Sequence, residues 1–450
     1  MSSAYFNIRG VVEGFYGFYY THQERMALLR YMGQHGFNMY LYAPKNDRHH
    51  RDRWRDPYPP QSRVLFSETI QVAIKNEIRF CYGISPGTSV CYSSTEDFRS
   101  ITDKFIYFYD LGVRSFSLLL DDILPEFIYS EDRDRYESYA HAHADLCNRM
   151  YVWLKDRDEG CELSMCPTDY ADTPPFSMYT KTLGQMLNPE IMIMYTGVQV
   201  CAREIRGIDA KAYGEAIKRK PLIWDNYPVN DGEMAADLHL GPIQGRDPEL
   251  YKQVCGVLIN PMNQMEASKI ALATYANYMA DPIIYDAQAS WELALEEAAG
   301  LQYAPALRLM AENALKSPLK IHNAVRLESL VSAVMEALKA GVSSIEDPAK
   351  AALDDYLNQI DQASYTLANY MQNDALRSEL LPWLELWDWW RRLGKSTIRA
   401  LNLRETDSDF QIAIRDIQTA RRAIQKHPKR IMGNSLMSLA EWISERSHAD

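Results

Sequence analysis

The sequence predicts an α/β protein: a (β/α)8 TIM barrel followed by an all-α helical C-terminal domain. Two observations carry this. Eight short apolar or aromatic runs recur through the first 260 residues with helix-like stretches between most of them. Such alternation over roughly 250 residues is the pattern of a (β/α)8 barrel. Past about Asp286 the texture changes: Ala, Leu, Glu and Arg dominate, cysteine disappears, and only Gly300, Gly341, Gly394 and Gly433 remain of 21 glycines. We therefore expect a barrel over residues 1–285 and a helical domain over 286–450.

The strand candidates, in order, are Asn7 to Val12, Asn38 to Tyr42, Arg79 to Tyr82, Ser115 to Leu120, Glu162 to Cys166, Ile191 to Tyr195, Leu222 to Trp224 and Gly256 to Ile259. The fourth is the most telling, because Phe116, Leu118, Leu119 and Leu120 lack polar alternation, as in a strand buried on both faces. Helix-like stretches are His22 to Gln34, Glu68 to Asn76, Thr95 to Asp110, Arg133 to Lys155, Ala202 to Lys218 and Gln264 to Tyr278. The seventh unit is the weakest, since in the long loop Tyr227 to Pro248 only Gly232 to Leu238 suits a helix.

Nearly every strand candidate ends in groups that hydrogen-bond or ionise: Glu13 and Gly14; Tyr42 then Lys45; Ser85; Asp121 and Asp122; Asp169 and Tyr170; Thr196; Asp225 and Asn226; Asn260. A barrel gathers such ends at one mouth, where its chemistry sits.

The tail shows helical apolar spacing over Ser290 to Ala299, Ala306 to Leu315, His322 to Lys339, Asp347 to Gln372, Asp374 to Arg392, Phe410 to Ile424 and Ser435 to Ser447. Trp383, Trp387 and Trp390 share one helix face; core packing is the favoured reading, a carbohydrate platform the rival.

Forty-eight basic against 60 acidic residues give a formal charge of -12, which argues against nucleic-acid binding and offers no attraction to anionic membranes. No apolar run reaches the roughly 18 residues that span a bilayer, and Met1 to Arg9 lacks the pattern of a secretory signal. The seven cysteines form no CxxC pair and are odd in number, so reduced thiols in a cytoplasmic protein are expected.

Two adjacent acids, Asp121 and Asp122, end the fourth run. One reading makes one of them a helix cap and leaves the other solvated. The other places both in an active site. Phe15, Tyr16, Tyr42, Tyr170, Tyr195, Trp224 and Tyr227 lie near the expected mouth, and rings that stack on sugar faces beside amides and acids suit a carbohydrate pocket. Two-carboxylate glycosidases set their acids about 5 Å or more apart across the anomeric carbon. Sequence neighbours instead suit a substrate whose own 2-acetamido oxygen is the nucleophile. Gly10 to Gly17 lacks a nucleotide-binding spacing, while His141-Ala142-His143 and His49-His50 are weak metal candidates. No metal or cofactor is expected.

VVEGFYG (Val11 to Gly17), YLYAPKND (Tyr40 to Asp47) with Trp54 to Tyr58, Asp121-Asp122, CPTDY (Cys166 to Tyr170), Tyr195-Thr196-Gly197, IWDN (Ile223 to Asn226) with Asn230-Asp231, and GVLINP (Gly256 to Pro261) together resemble glycoside hydrolase family 84. That is the family of O-GlcNAcases and related β-N-acetylglucosaminidases. The resemblance runs in order through about residues 8–280 and departs from commoner forms at Phe18-Tyr19-Tyr20 and Pro261 to Met265.

The resemblance implies that Asp121 orients and polarises the acetamido group as an oxazoline forms. Asp122 would be the general acid and then the base. It further implies that Gly14, Lys45, Asn226, Asp231 and Asn260 hold sugar hydroxyls or the acetamide, and that Tyr170, Thr196 and Trp224 enclose the N-acetyl group. A general acid must be protonated before it acts, so Asp122 is expected to have a raised pKa, with ionised Asp121 pushing that way.

The expected partner is a β-GlcNAc-bearing glycoprotein, glycopeptide or oligosaccharide, and a homodimer is a further partner expectation. The alternatives are cleavage of free hyaluronan or chitin fragments, a metal-dependent barrel enzyme with Asp121 and Asp122 as ligands, and a catalytically silent sugar- or peptide-binding protein.

Overall fold

A strand buried on both faces needs helices outside it and packed side chains within, which is the environment of a barrel wall. The computed structural model, which describes residues 5–320, 322–341 and 347–446, contains eight such strands. They are β1 (Ile8–Glu13), β2 (Met39–Tyr42), β3 (Arg79–Ile84), β4 (Ser115–Leu119), β5 (Glu162–Cys166), β6 (Met192–Tyr195), β7 (Leu222–Asp225) and β8 (Gly256–Ile259). All pair in parallel and close in chain order, with Ile8 of β1 opposite Gly256 of β8. The predicted fold class is the observed one.

Side chains from all eight strands meet in one apolar cluster, including Val12, Leu41, Cys81, Leu119, Cys166, Met194, Trp224 and Leu258. Packing is close enough to dictate residue size. A Cβ at Gly10 would lie 2.5 Å from Leu258 Cδ2 and 2.8 Å from the Met39 carbonyl oxygen, so only hydrogen fits.

The strands alternate with α1 (His22–Gln34), α2 (Ser62–Lys75), α3 (Thr95–Tyr109), α4 (Ser130–Arg135), α5 (Tyr139–Arg157), α6 (Met178–Met186), α7 (Gly207–Ile217) and α8 (Met265–Ala280). Local chemistry starts several of them. Thr21 and Glu24 form a capping box on α1, and the Ser94 and Ser177 hydroxyls accept backbone N–H bonds at the starts of α3 and α6.

Four differences from expectation are seen, the first three with local physical causes. The single helix predicted over Arg133 to Lys155 is two, because Tyr136 and Ser138 are extended and the Tyr136 hydroxyl donates to Asp145 Oδ2 at 2.6 Å. Helix α6 carries no long apolar stripe and depends on its Ser177 cap. Helix α7 starts late because Ile205 is held in a parallel bridge to Arg246. The stretch Gly232 to Leu238 yields only a 3-10 turn, Gly232–Met234.

The chain divides into two compact units. The first comprises Met1–Gly232, Ile243–Met265 and Leu272–Ala287; the second comprises Glu233–Pro242, Glu266–Ala271 and Gln288–Asp450. The second is helical: α9 (Ala287–Ala299), α10 (Ala304–Glu312), α11 (Val325–Lys339), α12 (Pro348–Tyr370), α13 (Asp374–Leu401), α14 (Ser408–Lys426) and α15 (Ser435–Arg446). Ser447, the last residue of the predicted final helix, lies outside the described residues, as do Met1 to Ala4.

Trp383, Trp387 and Trp390 are buried along α13, and Trp383 Nε1 donates to the Ala236 carbonyl at 3.0 Å. They are core, not a sugar platform. Among the described residues no helix is long and apolar enough to cross a membrane.

Candidate active site

Parallel strands present all their C-terminal ends on one face, and a pocket opens there. Its lining includes Gly14, Lys45, Asp121, Asp122, Tyr170, Thr196, Trp224, Asn226, Asp231 and Asn260, together with Tyr16, Cys166, Val200, Cys201 and Val229. All ten residues singled out from the sequence therefore meet in one cavity of about 200 Å³, delivered by the ends of seven of the eight strands.

Adjacent residues on an extended strand point to opposite sides. The chain escapes this at the end of β4, where Asp122 adopts a left-handed conformation with φ +54. Asp tolerates that region better than most residues, and the turn brings its carboxylate into the cavity beside that of Asp121.

Lys45 is buried and bonds Asp121 Oδ2, with Asp122 Oδ2 3.9 Å away. Burial would lower its pKa, but the two acids outweigh burial and raise it, so the ammonium is a fixed charge. Among the described residues, buried Asp121 Oδ1 has no hydrogen-bond partner, and neither has Asn260 Oδ1. A buried acceptor left unpaired costs about 1–3 kcal/mol, so the cavity offers two acceptors awaiting donors.

Asp122 is differently placed. Its Oδ2 accepts the Tyr16 hydroxyl at 2.7 Å and its Oδ1 accepts the Tyr170 hydroxyl at 2.8 Å. Burial pushes its pKa up, but Lys45, these two hydroxyls and Arg51 together hold it below the ordinary carboxylate value. This corrects the expectation of a raised value, which weighed the neighbouring acid and not the donors around it. The carboxyl that is raised belongs to Asp231, by burial first and also by the Asp122 charge, although Asp231 Oδ2 accepts the Tyr16 N–H at 2.8 Å.

The remaining wall is largely self-satisfied. Trp224 Nε1 and Asn260 Nδ2 both donate to Asn226 Oδ1, at 2.8 and 2.9 Å, and Asn226 Nδ2 donates to the Val200 carbonyl at 2.8 Å. The Thr196 hydroxyl lies 3.2 and 3.0 Å from the Tyr170 and Gln199 carbonyls. Gly14 is the close-approach position, since a Cβ there would sit 2.4 Å from Trp224 Cζ2.

Several strand-end groups expected at the mouth are spent elsewhere. Glu13 is buried and takes Arg25 Nη2 at 2.8 Å together with the Tyr40 hydroxyl. Asp225 is bound by both nitrogens of the Arg246 fork, and Asp169 accepts from the Ser177 hydroxyl at 2.6 Å. His143 is buried between the Tyr92 and Tyr179 hydroxyls, at 2.9 and 2.8 Å. Among the described residues no group of three or more His, Cys, Asp or Glu could hold a metal ion.

Of the rings expected near the mouth, Tyr16, Tyr170 and Trp224 line the pocket, whereas Phe15, Tyr42, Tyr195 and Tyr227 are buried and do not line it; Arg51 and Cys201 are site neighbours beyond those expected. Tyr16 was legible in the VVEGFYG motif. The reach of Arg51 to the Tyr16 hydroxyl, at 2.8 Å, was not.

Acids, a fixed cation and aromatic rings around one small mouth define a carbohydrate-active barrel, the class to which glycoside-cleaving barrels belong. Residues 9–312 match the family model described as beta-N-acetylglucosaminidase. The chain belongs to that family, and the family is one of glycoside hydrolases, as the resemblance to family 84 implied.

It is 36% identical over 274 residues to the rat and mouse proteins named protein O-GlcNAcase, covering 60% of this chain and 29% of each of theirs. The chain thus matches less than a third of the length of those relatives. Among solved structures it resembles a mutant of Thermobaculum terrenum O-GlcNAc hydrolase, with TM-score 0.93, 31% identity and coverage of 98% of this chain and 95% of that one. It also resembles the protein titled CpGH84B, with TM-score 0.86, 28% identity and coverage of 98% and 77%.

Proposed function

We propose that this chain is a retaining β-N-acetylglucosaminidase that hydrolyses terminal β-linked GlcNAc, including from protein Ser/Thr, by substrate-assisted catalysis through an oxazoline. The observation that carries this reading is the half-satisfied Asp121. Its Oδ2 is committed to Lys45, and its buried Oδ1 has no donor among the described residues. An acetamide N–H supplies one. A carboxylate gripping that N–H turns the acetamide carbonyl towards C1 and stabilises the positive charge that develops as the ring closes.

Asp122 then protonates the departing oxygen and later activates water. Its resting carboxylate accepts from both tyrosines, so it must gain a proton before acting. A sugar filling the pocket displaces water and strengthens the burial that already pushes its pKa up. Trp224 and Tyr170 offer rings to the N-acetyl group, and Asn260 Oδ1 and Asp231 accept from sugar hydroxyls. Seven unpaired cysteines support a reducing compartment, consistent with cytoplasmic action on proteins. The name of the rodent relatives, protein O-GlcNAcase, supports a protein-linked substrate over a free oligosaccharide.

The deciding experiment compares hydrolysis of aryl β-glucosides with and without the 2-acetamido group, and adds an oxazoline mimic as inhibitor. Cleavage confined to the N-acetyl substrates, with inhibition, is expected. Indifference to the acetamide sinks the mechanism.

A further inference from the structure

The loop after β2 brings two cations to bear on Asp122, one as a direct ion pair and one through a hydrogen-bond relay. Lys45 approaches Asp122 Oδ2 directly, at 3.9 Å. Arg51 approaches the same oxygen at one remove: its Nη1 donates to the Tyr16 hydroxyl oxygen at 2.8 Å, and that hydroxyl donates to Asp122 Oδ2 at 2.7 Å. The guanidinium carbon also stands 5.4 Å from the Tyr16 ring centroid.

The loop is braced for this task. The Arg51 N–H bonds the Asp47 carbonyl, and the buried Asp47 carboxylate accepts the Tyr42 and Tyr58 hydroxyls, each at 2.7 Å.

We infer that Arg51 is a positioning residue for the acid/base carboxylate, acting through Tyr16. The inference rests on the assignment of Asp122 proposed above and deepens it. Arg51 occupies a lone pair of the Tyr16 oxygen, so the tyrosine is biased to serve as donor, and its hydrogen goes to Asp122. A donor backed by a full charge gives a stronger bond than a neutral hydroxyl alone. The relay therefore pins the carboxylate and favours its ionised form, the form needed when Asp122 acts as base.

The groups facing Asp122 are Lys45, Tyr16, Tyr170 and Asp121, with Asp231 nearby and Arg51 behind Tyr16. Arg51 is one of the influences lowering the Asp122 pKa, and Tyr16 itself is raised, by burial first, so it keeps its proton.

The test titrates the Asp122 carboxyl by carbon NMR in the full chain and measures the pH dependence of kcat/KM on aryl N-acetyl-β-glucosaminides. Arg51→Gln is expected to raise the carboxyl midpoint by roughly half a pH unit, as a partly screened charge at this remove would, and to move the basic limb of kcat/KM the same way. Tyr16→Phe should also raise it, and adding Arg51→Gln to Tyr16→Phe should add little. Arg48→Gln removes an exposed charge from the same loop and should leave the curve in place.

The relay is overturned if Arg51→Gln titrates like the wild type, if its shift survives undiminished in the Tyr16→Phe background, or if Arg48→Gln shifts as much. A wild-type chain inert towards the glycosides would instead sink the proposed function, and the NMR titration would still decide the relay.

Discussion

Lys45 bonds one oxygen of Asp121 and leaves the other buried with no partner among the described residues. The carboxylate is thus held in place by one contact and kept available by the lack of a second. Asp121→Asn replaces an acceptor with a group that has one acceptor and one donor, and it strips Lys45 of its strongest counter-charge. On the proposed mechanism kcat/KM should fall by about 10²–10³-fold, the scale of losing one transition-state contact. The loss should be similar for good and poor leaving groups, read with a series of aryl N-acetyl-β-glucosaminides.

Asp122→Asn should separate those leaving groups. Poor ones, which need protonation, should slow by about 10²–10⁴-fold, and good phenolic ones far less. Equal losses across the series would remove Asp122 from the acid role.

Gly14→Ala puts a Cβ 2.4 Å from Trp224 Cζ2 and 2.6 Å from Cη2. The indole has to move, which breaks its bond to Asn226 and distorts the pocket wall. Overpacking of this kind costs about 1–3 kcal/mol, so a urea melt should show that loss together with a raised KM.

Two buried histidines should make the fold sensitive to acid. Burial pushes His143 down to about 3 and His50 down to about 4, although Asp47 and the Gly83 carbonyl act to raise His50. In the unfolded chain both take up protons near about pH 6.5, so stability is complete above that pH and is lost as pH falls towards the folded values. Each group contributes a slope of up to about 1.4 kcal/mol per pH unit. Denaturant-derived stability at pH 7.5 and pH 5 should show the fall, and His143→Gln should flatten it by about one proton's worth.

Asp225→Ala should be costly in a different way. It strands Arg246, whose side chain is 3% exposed, and breaking a buried pair from one side costs about 3–5 kcal/mol. Equilibrium urea denaturation is the measurement, and an unchanged midpoint would mean the pair is dispensable.

Much of the barrel was legible because each strand is short, apolar and bounded by residues that cannot continue it. Glu162–Cys166 and Gly256–Ile259 fall where expected. Helix α6 was hidden because nine residues with Gly184 near the end show too little periodicity to register. The loop after β7 was hidden for another reason: residues 233–242 belong to the second compact unit, whose other residues are distant in sequence, and no local pattern encodes that.

The sequence by itself determined the alternation of strands and helices and the acids at the end of β4, which follow from local periodicity, and, through the motifs that carry the family resemblance, ten of the residues that line the pocket. Only the tertiary structure decided which strand-end acids are available. Glu13 and Asp225 look like Asp121 in the sequence, but arginines distant in the chain, Arg25 and Arg246, neutralise them in the interior. It also decided the direction of the Asp122 pKa shift. A carboxylate's pKa depends on what lies within a few ångströms, and Tyr16, Tyr170, Lys45 and Arg51 converge on it from three separate loops.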